Sequence, residues 1–382
     1  MHVIATAGHV DHGKSTLIRA LTGIETDRWE EEQRRGLTID LGFAWCTLPS
    51  GREVSFVDVP GHERFIGNML AGLGPVPIVL FVVAADEGWS AQSSDHRDAV
   101  KALGISHGII VITRADRAPE RVEAVIDEAR RELAETGLAD APACGVSGIT
   151  GEGIDELRRV LDELVASVSA ASPHESVRLW IDRSFTIDGA GTVVTGTLGA
   201  GTVRPGDDLT LVSTRHGGAV PRTVSVRGVQ SRGTREDVVE PVSRAALNLR
   251  QIPASDIHRG DVLLTPGAFH LTRVVDVRSV SGDSLEDVPR ETTIHVGSAA
   301  VTARVRPLGA EHARLTFDLP LPLVIGDRLV MRGTGERAVL GGVRVLDVDP
   351  PELRRRGAGS ARETELEHMS EHGDARREIE RR

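Results

Sequence analysis

The stretch GHVDHGKST, Gly8 to Thr16, decides the fold of the first part of this chain. It fits the pattern G-x-x-x-x-G-K-[ST], in which backbone N–H groups of a glycine-rich loop surround phosphates and the lysine reaches the outer ones. The apolar run HVIATA (2–7) before it predicts a buried strand, and STLIRALTG (15–23) after it has helical spacing. Because the N-terminus of that helix would point at the phosphates, the stretch predicts a nucleotide site around Lys14.

Lysine usage supports this prediction. The chain has 45 lysine and arginine residues, and only Lys14 and Lys101 are lysines. A slim ammonium fits a phosphate loop where a planar guanidinium would not. The rare use of lysine at position 14 therefore favours a binding role over a surface charge.

Composition predicts a cytoplasmic protein without a membrane segment. The chain has 382 residues, which suggests two or three domains. No apolar run approaches the roughly 18 residues of a membrane span, and MHVIATAGH lacks the charged and apolar regions of a signal peptide. Cys46 and Cys144 lie in apolar stretches, so we expect each to be a small buried residue rather than part of a disulfide or metal site.

The net negative charge of the chain comes from its first 175 residues. The net charge is −11, and residues 1–175 contain 16 basic and 28 acidic side chains, whereas residues 176–350 contain 21 and 20. A polyanionic partner would therefore be met mainly by the second half.

Strands alternate with helices up to about residue 170, which predicts a mostly parallel sheet with helices on both faces. The later strands are predicted at 54–59, 77–85, 108–113 and 143–146, and helices at 92–103, 119–136 and 153–168. Beyond the polar linker 169–176, short β-type runs broken by Gly, Pro and Asp predict two small barrels. We expect domains at 1–172, 173–268 and 269–350, and a charged linker or solvated helix at 351–382.

Four further segments fall where a P-loop GTPase requires them, and two of these, DVPGH and RGLTID, would lie at the phosphates and Mg²⁺. Asp58 in DVPGH ends a predicted strand and would reach Mg²⁺ through water, while the Gly61 amide would meet the γ-phosphate. Thr38 in RGLTID would close over the same ion, and Ser15 would also coordinate it. Without its neighbours, Thr38 would be read as a threonine that opens a strand.

The base pocket is predicted from TRAD, Thr113 to Asp116, and from the backbone of Ser147 in VSG. Asp116 could accept hydrogen bonds from the guanine N1–H and 2-amino groups, a donor pair that adenine lacks, so the site is predicted to bind GTP and GDP. The predicted nucleotide-binding residues are Gly8, Asp11, His12, Gly13, Lys14, Ser15, Thr16, Gly61, Thr113, Arg114, Asp116 and Ser147.

The chain resembles the translational GTPases of the elongation factor Tu group through GHVDHGKST, RGLTID and DVPGHERF. It resembles the selenocysteine-specific elongation factors in particular through TIDLGFAW, VVAADEGWSAQSSDH, IDRSFTIDGAGTVVTGTL, RAALNL and HVGSAAVTARV. The resemblance runs from residue 2 to about residue 350. It implies a GTPase domain followed by two β-barrels, and a monomer that delivers selenocysteyl-tRNA to the ribosome at recoded UGA codons.

The resemblance also implies residue roles. His62 would orient the attacking water on the ribosome, the alternative being a surface histidine beside a turn. Since no arginine finger can be assigned, slow intrinsic hydrolysis is expected. A pocket for the selenocysteyl group would be built from Phe43, Asp182, Arg183 and Arg244. Taken without the family, Asp182 and Arg183 would be read as a surface ion pair at a strand end.

Three departures from the family pattern stand out. Arg114 replaces the usual lysine of the guanine motif, and Phe43 replaces the usual tyrosine. No winged-helix pattern follows in residues 351–382, so contact with an mRNA hairpin is expected only through a module absent from this chain. Two alternatives therefore stay open: another tRNA-carrying GTPase like elongation factor Tu, and a truncated, non-productive regulator.

Overall fold

The computed structural model describes residues 2–26, 32, 38–169, 171–189, 191–215, 220–333, 339–355 and 357–369. Among the helices of these ranges, none is both long enough and apolar enough to cross a membrane. Both cysteines are free; Cys144 is buried and Cys46 is partly exposed.

The first domain is a six-stranded sheet in the order β2-β3-β1-β4-β5-β6. Five strands run parallel, and β2 runs antiparallel to β3 at one edge. The strands are β1 His2–Ala7, β2 Gly42–Thr47, β3 Glu53–Asp58, β4 Ile78–Ala84, β5 His107–Thr113 and β6 Ala143–Gly145, and the helices are α1 Lys14–Thr22, α2 Ile66–Leu73, α3 Ala91–Leu103, α4 Val122–Leu133 and α5 Ile154–Ser167.

Alternate residues of the central strands fill two separate cores, one on each face of this sheet. Phe81 of β4 packs with Met69 of α2 and Val100 of α3, whereas Leu80 packs with Leu17 of α1 and Leu161 of α5. The predicted α/β arrangement is therefore confirmed. Helix α2 was not among the predicted helices, and the helix expected at 119–136 is shorter because a 3₁₀ turn occupies Pro119–Arg121.

The second domain is a barrel, which we call the first barrel. Its strands pair in the ring β10-β12-β8-β7-β13-β9, which closes because β9 also pairs with β10. The short β11 pairs with β10 outside the ring. The strands are β7 Arg178–Ile187, β8 Gly191–Leu198, β9 Asp208–Val212, β10 Arg222–Ser231, β11 Thr234–Glu236, β12 Ser243–Leu249 and β13 Val262–Leu264.

The third domain, the second barrel, is closed in the order β14-β17-β16-β15-β18-β19. It lies against α3 so closely that a Cβ on Gly342 would come within 2.5 Å of the Ala102 Cα. The strands are β14 Thr272–Gly282, β15 Glu291–Val296, β16 Ala299–Pro307, β17 His312–Leu321, β18 Arg328–Gly333 and β19 Val339–Asp347. Two all-β barrels are thus present, as predicted.

The tail differs from the solvated helix that its composition suggested. Helix α6, Ala358–Glu367, packs Leu366 into an apolar cluster with Leu308 and Leu346 of the second barrel. Arg362 is buried and donates to the Asp276 carboxylate at 2.8 Å. The prediction was wrong for this helix because the carboxylates that neutralise Arg362 come from distant strands of the barrel.

Candidate functional site

The loop between β1 and α1 has the backbone that a phosphate cradle needs. Gly8 has φ +125, and a Cβ there would lie 2.1 Å from the Val82 carbonyl oxygen, so only glycine fits. Asp11 (φ 65) and Gly13 (φ 79) also adopt left-handed conformations. These turns bring the chain to the N-terminus of α1, where free N–H groups favour an anion.

Lys14 lies along this loop and is only 6% exposed. Its ammonium donates to the carbonyls of Gly8 at 3.1 Å and His9 at 2.8 Å. The turn after β3 lies directly beside it, since a Cβ on Gly61 would come within 2.4 Å of Lys14 Nζ. The geometry therefore places the backbone of Gly61 against the phosphate loop.

The loop opens into a cavity of about 350 Å³, the nucleotide cleft. Eleven of the predicted residues line it: Asp11, Gly13, Lys14, Ser15, Thr16, Thr38, Gly61, Thr113, Arg114, Asp116 and Ser147. Sequence reasoning missed five other lining residues, which are Val10, Leu17, Arg117, Gly148 and Ile149. Four other predicted residues do not line the cleft: Gly8, His12, Asp58 and His62.

The oxygen atoms predicted to hold Mg²⁺ lie at one end of the cleft. Ser15 Oγ and Thr38 Oγ1 are 3.0 Å apart. Asp58 is fully buried behind them, and its carboxylate accepts from the hydroxyls of Thr6 and Thr26 at 2.8 Å each. Hydroxyl and carboxylate oxygens are the donors that Mg²⁺ prefers, so the residues fit this ion.

The base end of the cleft is built from two loops. Thr113 donates to the carbonyl of His12 at 2.6 Å and ties the guanine motif to the phosphate loop. Asp116 is exposed at the mouth of the cleft. The Ser147 hydroxyl accepts from the Thr150 N–H at 3.1 Å, which shapes the loop after β6.

Arg114, which replaces the usual lysine, has φ 54 and projects toward an acidic pair. Its guanidinium donates to Asp86 at 3.1 Å and to Glu87 at 2.6 Å, and it also donates to the carbonyl of Asp11. The side chain thus connects the base end of the cleft to the phosphate loop. Two nitrogens of the guanidinium share these contacts, whereas a lysine has a single nitrogen.

Buried histidines lie behind the phosphate loop. Burial, reinforced by the neighbouring His9, lowers the pKa of His12 to about 4. Burial, with a further contribution from Lys14, lowers the pKa of His96 to about 3. Both rings are therefore neutral at pH 7, so the positive charge at the phosphate end comes from Lys14.

His62 caps the 3₁₀ turn Glu63–Phe65. Its Nδ1 accepts from the Arg64 N–H at 3.2 Å, and its ring lies 6.1 Å from that of Phe65. The histidine is adjacent to Gly61 in the chain, but it does not line the cleft.

A second cluster lies where β2 meets the first barrel. The ring of Phe43 lies under two guanidinium groups, with Arg244 Cζ 4.0 Å and Arg183 Cζ 4.9 Å from its centroid. Arg244 donates to both carboxylate oxygens of Asp182, one of them at 3.1 Å, and to the Thr197 hydroxyl at 3.1 Å. The four residues predicted for this pocket are therefore in contact with one another.

Two members of this cluster were missed in the sequence. Asp40 pairs with Arg183 at 3.2 Å and also with Arg259. Burial raises the pKa of Asp40, but the charges of Arg259 and Arg183 outweigh it and hold that pKa below its ordinary value. We call the six residues Asp40, Phe43, Asp182, Arg183, Arg244 and Arg259 the interdomain cluster. Nothing in the local sequence around Arg259 marks it, because its side-chain partners, Asp40 and Asn68, come from the other domain.

Sequence models of three families match the chain. They describe the elongation factor Tu GTP binding domain at residues 1–167, elongation factor Tu domain 2 at residues 191–264, and the β-barrel domain of the selenocysteine-specific elongation factor at residues 281–352. The matched ranges correspond to the sheet domain and the two barrels.

Known proteins agree with these matches. The selenocysteine-specific elongation factor of Escherichia coli K12 is 41% identical over 359 residues, which is 93% of this chain and 56% of that protein. Elongation factor Tu 2 of Streptomyces avermitilis is 30% identical over 298 residues, which is 72% of this chain and 75% of that protein. A crystal structure of a bacterial selenocysteine-specific elongation factor, EF-Sec, superposes with a TM-score of 0.86 at 30% identity, over 96% of this chain and 62% of that one.

The chain spans little more than half the length of the E. coli relative. Within that span the family models, the identity and the fold agree with the motifs. The chain therefore belongs to the elongation factor Tu-like GTPases and, among them, to the selenocysteine-specific elongation factor type.

Proposed function

We propose that this chain binds GTP with Mg²⁺, and in that state binds selenocysteyl-tRNA and delivers it to the ribosome at recoded UGA codons. The observation that carries the proposal is the interdomain cluster, in which Phe43 of the sheet domain lies under Arg183 and Arg244 of the first barrel. A cluster of this composition would suit an anionic side chain, and the nucleotide cleft lies in the same domain as Phe43.

The nucleotide part of the proposal rests on the cleft. Lys14 and the N–H groups of the loop would hold the phosphates, and Asp116 would read the guanine edge. Ser15 and Thr38, with Asp58 behind them, would hold Mg²⁺, which neutralises phosphate charge when it is bound. Phosphoryl transfer depends mainly on such positioning and charge neutralisation.

Hydrolysis would be slow until His62 turns toward the cleft. In the present arrangement its Nδ1 accepts from the Arg64 N–H, and the side chain does not line the cleft. We propose that binding to the ribosome breaks the hydrogen bond between His62 and Arg64 and lets His62 orient the attacking water. The ribosome as partner would place the protein in the cytoplasm.

The amino-acid part rests on charge. A selenol is more acidic than a thiol and is ionised at neutral pH, whereas the hydroxyl of serine on the same tRNA is not. The interdomain cluster contains three arginines and two aspartates, so it has an excess of one positive charge. A fixed positive charge that is partly shielded from water favours an anion over a neutral hydroxyl.

Nucleotide specificity tests the proposal first. Fluorescent GTP and ATP analogues would be titrated against the wild-type chain with Mg²⁺, and an Asp116→Asn variant would be titrated with guanosine and xanthosine nucleotides. We expect strong preference for GTP in the wild type and a shift toward xanthosine nucleotides in the variant. Equal binding of GTP and ATP by the wild type would refute the guanine assignment.

A further inference from the structure

The segment Thr38–Leu41 contacts both sites at once. The Thr38 hydroxyl lies 3.0 Å from Ser15 Oγ in the nucleotide cleft. Two residues later, Asp40 pairs with Arg183 and Arg259 of the first barrel, and the carbonyl of Leu41 accepts from Arg183. Because two residues of chain span at most roughly 7 Å, a displacement at Thr38 is transmitted to Asp40.

Arg259 holds this segment through all three nitrogens of its guanidinium. Nε donates to the carbonyl of Asp182 at 3.0 Å, and one terminal nitrogen donates to Asn68 Oδ1 at 2.6 Å. The other terminal nitrogen donates to the Asp40 carboxylate. One side chain therefore connects the pocket strand β7, helix α2 and the segment beside the nucleotide cleft.

Asn68 closes the arrangement from the sheet domain. Its Nδ2 donates to the carbonyl of Ile39 at 2.8 Å while its Oδ1 accepts from Arg259. The N–H groups of Ile39 and Asp40 donate to one oxygen of Glu32 at 3.0 and 3.1 Å. Hydrogen bonds therefore fix the segment along its length. Asn68 and Glu32 supply those from the sheet domain, and Arg259 supplies one from the first barrel.

The loop that presents Arg259 is itself fixed. Asp261 is fully buried and accepts from the N–H groups of His258 at 2.8 Å and Thr214 at 3.0 Å. Gly260 has φ +94 and lies where a Cβ would come within 3.0 Å of the Ala299 Cα. A guanidinium on such a loop acts as a rigid reference point rather than as an adaptable surface charge.

We propose that Asp40 and Arg259 are positioning residues that couple the nucleotide cleft to the amino-acid pocket. The arrangement that places Thr38 at Ser15 is the same one in which Asp40 is held by Arg259 and Arg183. Binding of GTP with Mg²⁺ favours this arrangement, and the arrangement in turn fixes Arg183 and the backbone of Asp182 in the pocket. The pocket part of this inference rests on the proposed function, and the coupling is reciprocal by linkage.

A double-mutant cycle tests the coupling without tRNA. The ratio of affinities for a fluorescent GTP analogue and for fluorescent GDP, both with Mg²⁺, would be measured for wild type, Arg259→Gln, Asp40→Asn and the double variant. Loss of a charge-assisted contact predicts that each single variant lowers the ratio about tenfold, with GDP affinity within about twofold of wild type. The double variant should resemble the singles, because each single substitution already breaks the Asp40–Arg259 pair that carries the coupling.

Two controls accompany the cycle. Arg97→Gln removes an arginine of similar exposure that pairs with Glu132 at 2.7 Å within the sheet domain, and it should leave the ratio unchanged. Arg259→Lys keeps the charge but has one nitrogen, which cannot reach three partners. Its ratio of GTP-analogue to GDP affinity should therefore lie between those of Arg259→Gln and wild type. Melting temperatures would verify that all variants are folded at the assay temperature.

Binding of selenocysteyl-tRNA to the GTP form should fall in Arg259→Gln by a factor similar to the change in the nucleotide ratio. An unchanged nucleotide ratio, equal losses for GTP and GDP, or effects that multiply in the double variant would each overturn the coupling. A wild-type chain that binds GTP but does not distinguish selenocysteyl-tRNA from seryl-tRNA would instead refute the proposed function. In that case the double-mutant cycle on nucleotide affinities would still test the role of Arg259.

Discussion

Replacing Arg244 by alanine should weaken selenocysteyl-tRNA binding and destabilise the first barrel at the same time. Its guanidinium is 12% exposed, and it neutralises Asp182, whose side chain is 4% exposed. Without Arg244, Asp182 keeps the Thr195 hydroxyl at 2.6 Å as a donor but loses the charge that compensates it. Breaking a buried pair on one side typically costs about 3–5 kcal/mol of stability.

The loss of selenocysteyl-tRNA binding in Arg244→Ala is a separate effect from the loss of stability. A partly desolvated, charge-assisted contact is worth about 1.5–3 kcal/mol, which corresponds to a loss of roughly ten- to a hundredfold in affinity for selenocysteyl-tRNA. Seryl-tRNA binding should hardly change, because a neutral hydroxyl gains little from the charge. Arg183→Ala should show the same selectivity, since its guanidinium also lies over the Phe43 ring, with Cζ 4.9 Å from the centroid.

Equilibrium fluorescence with both aminoacyl-tRNAs at two salt concentrations measures the effect. The double variant Asp182→Asn/Arg244→Met leaves no uncompensated carboxylate, so it should lose the same selectivity with a smaller drop in melting temperature. Arg204→Ala, at an exposed position of the first barrel, serves as the control and should leave the ratio of the two affinities unchanged. Raised salt should weaken the binding of both tRNAs, because it screens the contacts with their phosphates, but it should change the ratio of the two affinities little. Equal losses for the two tRNAs in Arg244→Ala would refute the pocket.

Three further predictions concern turnover, the tail and pH. His62→Ala should leave GTP affinity nearly unchanged and reduce ribosome-stimulated hydrolysis by orders of magnitude, as expected of a group that acts in the transition state; a large loss of GTP binding would show a structural role. Arg362→Met leaves two buried carboxylates with fewer donors and should cost about 3–5 kcal/mol in denaturant unfolding, whereas Arg354→Met at an exposed position should cost almost nothing; equal midpoints would contradict the docking of α6. Burial, with the charge of Arg332, lowers the pKa of His295 to about 3, below the roughly 6.5 of the unfolded chain, so its neutral form stabilises the fold above that pH. This stability is lost as the pH falls from about 6.5 toward 3, by up to about 1.4 kcal/mol per pH unit. His295→Gln should flatten the fall in melting temperature between pH 7 and 5, and His270→Gln, at an exposed position, should not; parallel curves for wild type and His295→Gln would contradict the assignment.

The nucleotide cleft could be predicted because its chemistry is local. The phosphate loop is one contiguous stretch, and Asp116 and Ser147 each follow an apolar strand whose parallel neighbours end at the same edge of the sheet. The hydrophobic periodicity of the strands and helices, with the spacing of the motifs along the chain, therefore predicts that these residues lie together before any tertiary contact is known.

The remaining features depend on contacts between distant parts of the chain. Asp40 and Arg259 are 219 residues apart, and Arg362 reaches Asp276 across 86 residues. Neither pair has a local pattern, because a charged residue in a polar stretch has the same sequence signature whether it is solvated or paired. The orientation of His62 was equally invisible, since it is set by one hydrogen bond to Arg64.

The most direct test of the account compares selenocysteyl-tRNA and seryl-tRNA binding to the wild-type chain in its GTP and GDP forms. Labelled tRNA would be titrated with the protein loaded with a non-hydrolysable GTP analogue or with GDP, both with Mg²⁺, and the four dissociation constants would be compared. The account predicts tight binding only for selenocysteyl-tRNA with the GTP form, because only then do a selenolate and an ordered interdomain cluster coincide. Equal affinity for the two aminoacyl-tRNAs in the GTP form would contradict it.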